Sequence, residues 1–437
     1  MAEPPSGLPP SYADAFPVPD YTTDPTENEQ RIEYHRRPRD FSSLPTGIFV
    51  QKSEEVTIVL NNQENGVIVP VYGRRASVVG TLLFDDPTGI SEVTVQIKGR
   101  IEFLSIAHGF STTDINNDTS ILFTSNGALG SETCPNSLSF SSVFPTIVRH
   151  AEKDYPIPPS HHVQLPGEAN VEYSKCTYRV SFGISRIRSR RVAFLGRSRR
   201  HLDVGIEYRP RSRPPRPIIP DRSLFSTIKA CPEEWQQYTY VIFPKPGTNL
   251  DPLSCQLFLP SVGIYAIMDT IPFHIQISGP RSTLSKLIPN MAVLSPATGS
   301  GSDGGGASNS PSANFDTLPI HISLLRQVVL EIDGRKAARQ ISLGESKLVA
   351  IPPPPPSPPT LGSKRGGHQE NLNWEGEVRC ELEEGVCPSF NAGMVSVIDF
   401  VTLQVSKTSQ SLYLPVRYGH PIRLVTDTWS DTADTYA

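Results

Sequence analysis

Residues 91–103 read SEVTVQIKGRIEF. Val93, Val95, Ile97, Ile101 and Phe103 share one parity, and Thr94, Gln96, Lys98, Arg100 and Glu102 share the other. A period of two puts alternate side chains on opposite faces of an extended chain, so this stretch predicts a strand with one buried face and one wet face. Gly99 falls on the buried face, where a bulge or a close backbone approach is expected.

The alternation recurs outward from this stretch. It is visible in CTYRVSFGI (176–184), IPFHIQIS (271–278), IHISLL (320–325), VSVIDFVTLQV (395–405) and SLYLPV (411–416). EVTIVLNN (55–62) and SVVGTLLF (77–84) precede it, the latter ending at the turn-forming DDPTG (85–89). No segment sustains a 3.6-residue period over three turns, and SLGESKLVA (342–350) could form one short helix at most. Many short strands separated by turn signals predict an all-β chain built from antiparallel β-sandwiches. The 43 prolines among 437 residues fit that reading, because an interior proline removes a helical donor and clashes with the preceding turn.

The layout expected is a proline-rich disordered arm at 1–44, a sandwich at 45–215, a second at 216–426 and a tail at 427–437, with structure starting near Gly47. The charged, proline-dense RPRSRPPRPIIPDR (209–222) marks the boundary between the sandwiches. Two low-complexity insertions, 295–317 and 351–370, interrupt the second sandwich between strands. Such insertions cost little once their ends are held, because closure entropy grows slowly with length.

A net charge of −4 implies no obligatory nucleic-acid partner. The start MAEPPSG has no apolar signal region, and no run of ~18 apolar residues is present. The six cysteines, at 134, 176, 231, 255, 380 and 387, form no C-x-x-C and no zinc spacing, which reads as reduced thiols in a cytoplasmic protein. Neither G-x-S-x-G, G-x-x-x-x-G-K-[ST], H-E-x-x-H nor a nucleotide glycine fingerprint occurs, so no enzyme, cofactor or metal is expected. The sequon Asn117-Asp118-Thr119 matters only in a secreted chain.

Taken in order, several pieces resemble the α-arrestin family of fungi. VYGRRASVVGTLLFDDPTGISEVTVQIKGRIEF (71–103) resembles an early N-domain hairpin, and LSFSSVFP (138–145) a later strand with its proline. IPPSHH (157–162) with VEYSKCTYRVSFGISR (171–186) is similar to the P-P-S-F segment and strand that close that domain. YAIMDTIPFHIQISGP (265–280) and NWEGEVRCELEEGVCPSFNAGMVSVIDFVTLQV (373–405) look like C-domain counterparts. The resemblance implies two tandem sandwiches without a catalytic centre. It implies an adaptor joining cytosolic tails of membrane transporters or receptors to a HECT-type ubiquitin ligase with WW domains, for endocytosis or sorting. The location implied is cytoplasmic, at the plasma membrane or endosomes. The competing reading is a scaffold or coat subunit of the same fold that acts without a ligase.

Three motifs carry these expectations. In LPPSY, Pro9 and Pro10 form a pre-ordered polyproline II ligand for an aromatic groove, and Tyr12 supplies a flat ring with a hydroxyl. Pro19 and Tyr21 offer a one-proline version nine residues on, and the pair gains from effective concentration on paired WW domains. Arg186, Arg188, Arg190, Arg191, Arg197, Arg199 and Arg200 form a cluster that suits anionic lipid or acidic cargo, against the alternative of a solvated loop. IPPSHH has His161 where a tyrosine is required and reads as structural; adjacent His161 and His162 point to opposite faces, which disfavours a shared metal. PPPPPSPP (352–359) is a polyproline II former able to bind proline-reading modules, and reads first as a stiff spacer.

Overall fold

The computed structural model describes residues 45–106, 109–125, 133–166, 172–187, 198–218, 224–287, 320–332, 334–351, 369–382, 386–405 and 412–429. These belong to one compact unit, Pro45–Ala437. The regular structure of the described chain is almost entirely strand, in antiparallel sheets with two short parallel pairings.

The first half forms two facing sheets. One has the order β1 (Gly47–Lys52), β2 (Val56–Gln63), β4 (Ser77–Phe84), β8 (Ser137–Val143). The other runs β3 (Val71–Tyr72), β13 (Ser198–Tyr208), β12 (Tyr173–Arg186), β5 (Ile90–Ser105), β6 (Gly109–Asn116), with β7 (Ser120–Thr124) on β5 and β11 (His161–Gln164) on β12. A small hairpin, β9 (Ile147–His150) with β10 (Lys153–Pro156), stands apart. The inward residues of β5 meet those of β2, β4 and β8, and Phe140 and Phe182 touch edge to face across the layers at 5.0 Å.

The second half repeats the plan. One sheet runs β14 (Trp235–Ile242), β15 (Leu253–Pro260), β17 (Ile271–Pro280), β21 (Gln369–Val378), β20 (Lys347–Ile351). The facing sheet runs β16 (Ile264–Ala266), β24 (Val416–Val425), β23 (Val395–Val405), β18 (Ile320–Ile332), β19 (Arg335–Glu345), with β22 (Phe390–Asn391) on β23. In both halves the third strand is short and lies parallel to the last, pairing Tyr72 with Tyr208 and Tyr265 with Leu424. Buried Tyr72 and Tyr265 are therefore equivalent, and so are Tyr208 and Leu424.

Three expectations change. Residues 342–350 are strands, not a helix: β19 and β20 bury Leu343 and pack Leu348 against the second core. Residues 412–415 are not a strand. Pro415 has no N–H to give, and the segment bonds instead to the other sheet through Leu414 N to Phe243 O and Lys245 N to Leu412 O, so the strand begins at Val416. Gly99 makes no bulge, since the pairing runs through it unbroken. The close approach there is a side chain: a Cβ on Gly99 would lie 2.5 Å from the Tyr178 ring. Two helices that the sequence did not announce, α1 (Leu224–Ala230) and α2 (Arg281–Leu287), fill corners of the second half.

Candidate functional site: the arginine segment and the joint between the halves

The proline-tyrosine motifs Pro9, Pro10, Tyr12, Pro19 and Tyr21 lie outside the described residues, as do Arg188, Arg190, Arg191 and Arg197 and the PPPPPSPP run. Arg186, Arg199 and Arg200 are described, and each is engaged by its own chain. Arg186 lies 3.0 Å from Glu55 and donates to the Asp86 carbonyl at 2.9 Å. Arg200 lies 3.3 Å from Glu54 and 4.0 Å from Glu55. Arg199 reaches across Gly183, where a Cβ would stand 3.0 Å from its guanidinium, toward the Thr94 hydroxyl at 3.5 Å. The β1–β2 turn with its two glutamates thus answers the base of the arginine segment. Such exposed pairs contribute at most about 1 kcal/mol each and leave the arginines free to exchange partners.

IPPSHH is structural, as its missing tyrosine indicates. Ser160 N donates to Tyr208 O at 2.9 Å, and Ser160 Oγ accepts from Tyr208 N at 2.9 Å. Ser389 of CPSF does the same with Leu424, at 2.9 and 2.7 Å. Each proline-serine segment therefore satisfies both backbone groups of the equivalent residue on the last strand, a pairing that secondary structure alone leaves open there. The next residues, His161 and Phe390, meet ring to ring at 5.1 Å across the joint between the halves. His161 is buried, bonded to Pro159 O and Ser174 Oγ, while His162 is exposed on the opposite face. Burial pushes the His161 pKa down to about 4, so the ring is neutral at pH 7.

The joint is an apolar continuation of the first core. Val328, Leu330, Met394 and Val397 of the second half join the cluster built by β2, β5 and β12. Beside it lies a buried ion pair that the sequence reading did not single out. Arg326 Nε and Nη2 bond Asp399 at 2.8 and 3.1 Å, with the two side chains 2% and 0% exposed. Ser389 Oγ adds a bond to Asp399 at 2.7 Å, and Arg326 Nη1 points at Cys387 Sγ, 3.7 Å away. Burial works against the Arg326 charge, and the Asp399 carboxylate overcomes it and raises the arginine pKa. A signal for both residues is present in the sequence. Arg326 sits on the parity of Ile320, Ile322, Leu324, Val328 and Leu330, and Asp399 on that of Val395, Val397, Val401 and Leu403. A charge on each buried face requires a partner.

A second bridge crosses the joint. Glu172, 2% exposed, receives Arg339 Nε and Nη2 at 2.7 and 3.1 Å, Ile106 N at 2.7 Å and Ser105 Oγ at 3.1 Å. The Arg339 bond, with the others, holds the Glu172 carboxyl below its usual range. The linker between the halves is fixed as well: Arg211 grips Asp427 with contacts of 2.7–3.2 Å, and Arg216 lies 2.6 Å from Glu234. No sequence pattern announces Glu172, Arg339 or Asp427, because each pair is far apart in the chain. The sequon residue Asn117 is half-buried and bonded within its own chain. Its amide donates to Ser142 Oγ at 2.9 Å and accepts from Ile97 N at 2.8 Å, so it ties the two sheets of the first half together.

Among the described residues no helix is long and apolar enough to cross a membrane. Comparison with protein-family models and with curated proteins finds no match to this chain.

Proposed function

We propose that this protein is a non-catalytic adaptor. In this reading the double-sandwich body takes the cytosolic tail of a membrane transporter or receptor. The arm offers Pro9, Pro10 and Tyr12, with Pro19 and Tyr21 as a weaker second ligand, to the WW domains of a HECT ubiquitin ligase. Ubiquitin on the cargo then directs endocytosis or sorting. The observation that carries the reading is positional: a complete P-P-x-Y lies well ahead of a folded body whose first strand starts at Gly47. A WW groove needs an extended ligand clear of the fold that presents it. The resemblance of the ordered segments to α-arrestins supports the body's role as cargo reader. A pulldown with isolated WW domains tests it. Wild type is retained and the double variant Tyr12→Ala, Tyr21→Ala is lost; equal retention refutes the ligase link.

The described end of the arginine segment bears on the membrane-contact part of this reading. Arg186 and Arg200 must exchange Glu55 and Glu54 for lipid phosphate, so anionic liposomes should bind the protein weakly and in a salt-sensitive way. A second reading, a sorting scaffold independent of ligase, draws on the continuous core across the joint, which suits a rigid spacer. Deleting 1–44 separates the two: cargo ubiquitination collapses for the adaptor and is unchanged for the scaffold.

A further inference from the structure

The wet face of the first half contains an arrangement that strand pairing alone does not explain. Lys98 on β5 and Arg179 on β12 are directly opposed partners in the antiparallel ladder. Directly opposed like charges on one face destabilise a sheet. Arg100 opposes Thr177 one step along the same face, so three cations and a hydroxyl share one patch. Together with Asp114 they line a shallow cleft of about 270 Å³. Two of the cations have partial answers: Arg100 lies 2.9 Å from Asp114, and Arg179 lies 3.5 Å from Asp203, outside the cleft. The Arg179 atom that faces Asp203 is Nε, which is shielded from solvent and makes no hydrogen bond. Lys98 has no hydrogen bond or ion pair among the described residues. Beside Arg179 the ladder continues to Gly205, where a side chain would meet nothing within 4 Å.

We propose that this cleft binds a single phosphomonoester group carried by a soluble molecule. Three cations against the one carboxylate in the lining leave an excess of positive charge, which Asp203 beside Arg179 offsets only in part and which suits the dianionic character of a phosphomonoester near pH 7. The unused guanidinium edges of Arg100 and Arg179 suit bidentate contact with phosphate oxygens, the Lys98 ammonium supplies a point charge between them, and Thr177 adds a hydroxyl donor. The ligand neutralises the Lys98–Arg179 repulsion, which gives the opposed pair a reason to exist. An extended anionic surface fits poorly: the face next to the cleft is mixed in charge, with Glu102, Asp203 and Glu207 against Lys175, so the excess of cations is confined to the cleft itself. The site is separate from the arginine segment and does not depend on the ligase reading.

The test uses the full chain with phenyl phosphate as the probe, followed by thermal shift and titration calorimetry, with sodium chloride at matched ionic strength as the control. Wild type gains thermal midpoint with phenyl phosphate and not with chloride. Lys98→Gln and Arg179→Gln each weaken binding at least tenfold. Gly205→Glu, which plants a carboxylate beside Arg179 in open space, competes with the probe and weakens it as well, while Arg200→Gln leaves binding unchanged. A shift equal to that of chloride overturns the proposal, as does full binding by Lys98→Gln together with Gly205→Glu. Vesicles containing a phosphorylated inositol lipid form the last arm: Lys98-dependent binding to them without binding of phenyl phosphate also overturns it, in favour of a membrane.

Discussion

The two halves share a strand order, a parallel third strand, a buried tyrosine on that strand and a proline-serine clamp on the last strand, yet they solve the centre of the same face in opposite ways. The shared clamp aligns Tyr178 with Asp399 and Gly99 with Arg326. In the first half a tyrosine ring fills the space over a glycine, and its hydroxyl donates to Pro158 O at 2.6 Å. In the second half the same two positions hold a buried guanidinium and carboxylate. One solution is apolar with a single satisfied hydroxyl. The other keeps two charges out of water and depends on complete pairing. Burying a paired charge gains little over packed hydrocarbon, so the second half accepts an energetic risk that the first avoids. The pair sits beside the joint, where Ser389 links it to the clamp on Leu424.

This contrast can be broken at several points. The largest effect belongs to Asp399→Ala, which leaves Arg326 buried and unpaired and destabilises the chain by about 3–5 kcal/mol in denaturant unfolding. The double change Arg326→Met, Asp399→Leu is near neutral or stabilising; if it is as damaging as the single change, the pair does more than satisfy itself. In the first half, Gly99→Ala drives a methyl into the Tyr178 ring and costs about 1–3 kcal/mol by overpacking. A cost near zero would mean that the ring moves aside freely.

The clamp offers a pH test, because His161 and Phe390 are equivalent neighbours across the joint. The His161 pKa falls from 6.5 unfolded to about 4 folded, so the unfolded chain binds more protons between those values. Its contribution is complete above about pH 6.5 and shrinks as pH falls toward 4, by about 2 kcal/mol at pH 5. His161→Phe makes the halves alike and flattens this slope in unfolding measured from pH 7.5 to 5. An unchanged slope would assign the sensitivity to other groups, His274 and His420 first, whose pKa values burial also lowers to about 4. The smallest effect is at the surface. Glu54→Gln with Glu55→Gln changes stability by less than about 1 kcal/mol and raises salt-sensitive binding of anionic liposomes by releasing Arg186 and Arg200.

Much of this was readable along the chain. Alternation located the central strands of both halves, since burial on one face is written at every second residue. The start near Gly47 and the structural role of IPPSHH also followed from the residues. Short apolar runs misled. The 342–350 segment has helix-forming residues, but its neighbours β18 and β21 offer edges that a strand satisfies better. At 411–416 the proline decided against pairing in line. Arg326 and Asp399 were visible as parity violations, each naming the need for a partner without naming the partner.

By itself, then, the sequence determined which faces are wet, where many of the strands run and where the first strand begins. Those are local properties, fixed by periodicity, proline and glycine within a few residues. The tertiary structure alone decided that Tyr178 and Asp399 are equivalents, that His161 meets Phe390, that Glu172 receives Arg339, and that Lys98 faces Arg179. Each of these depends on register between strands distant in sequence, and a one-residue slip would send every such side chain to the other face.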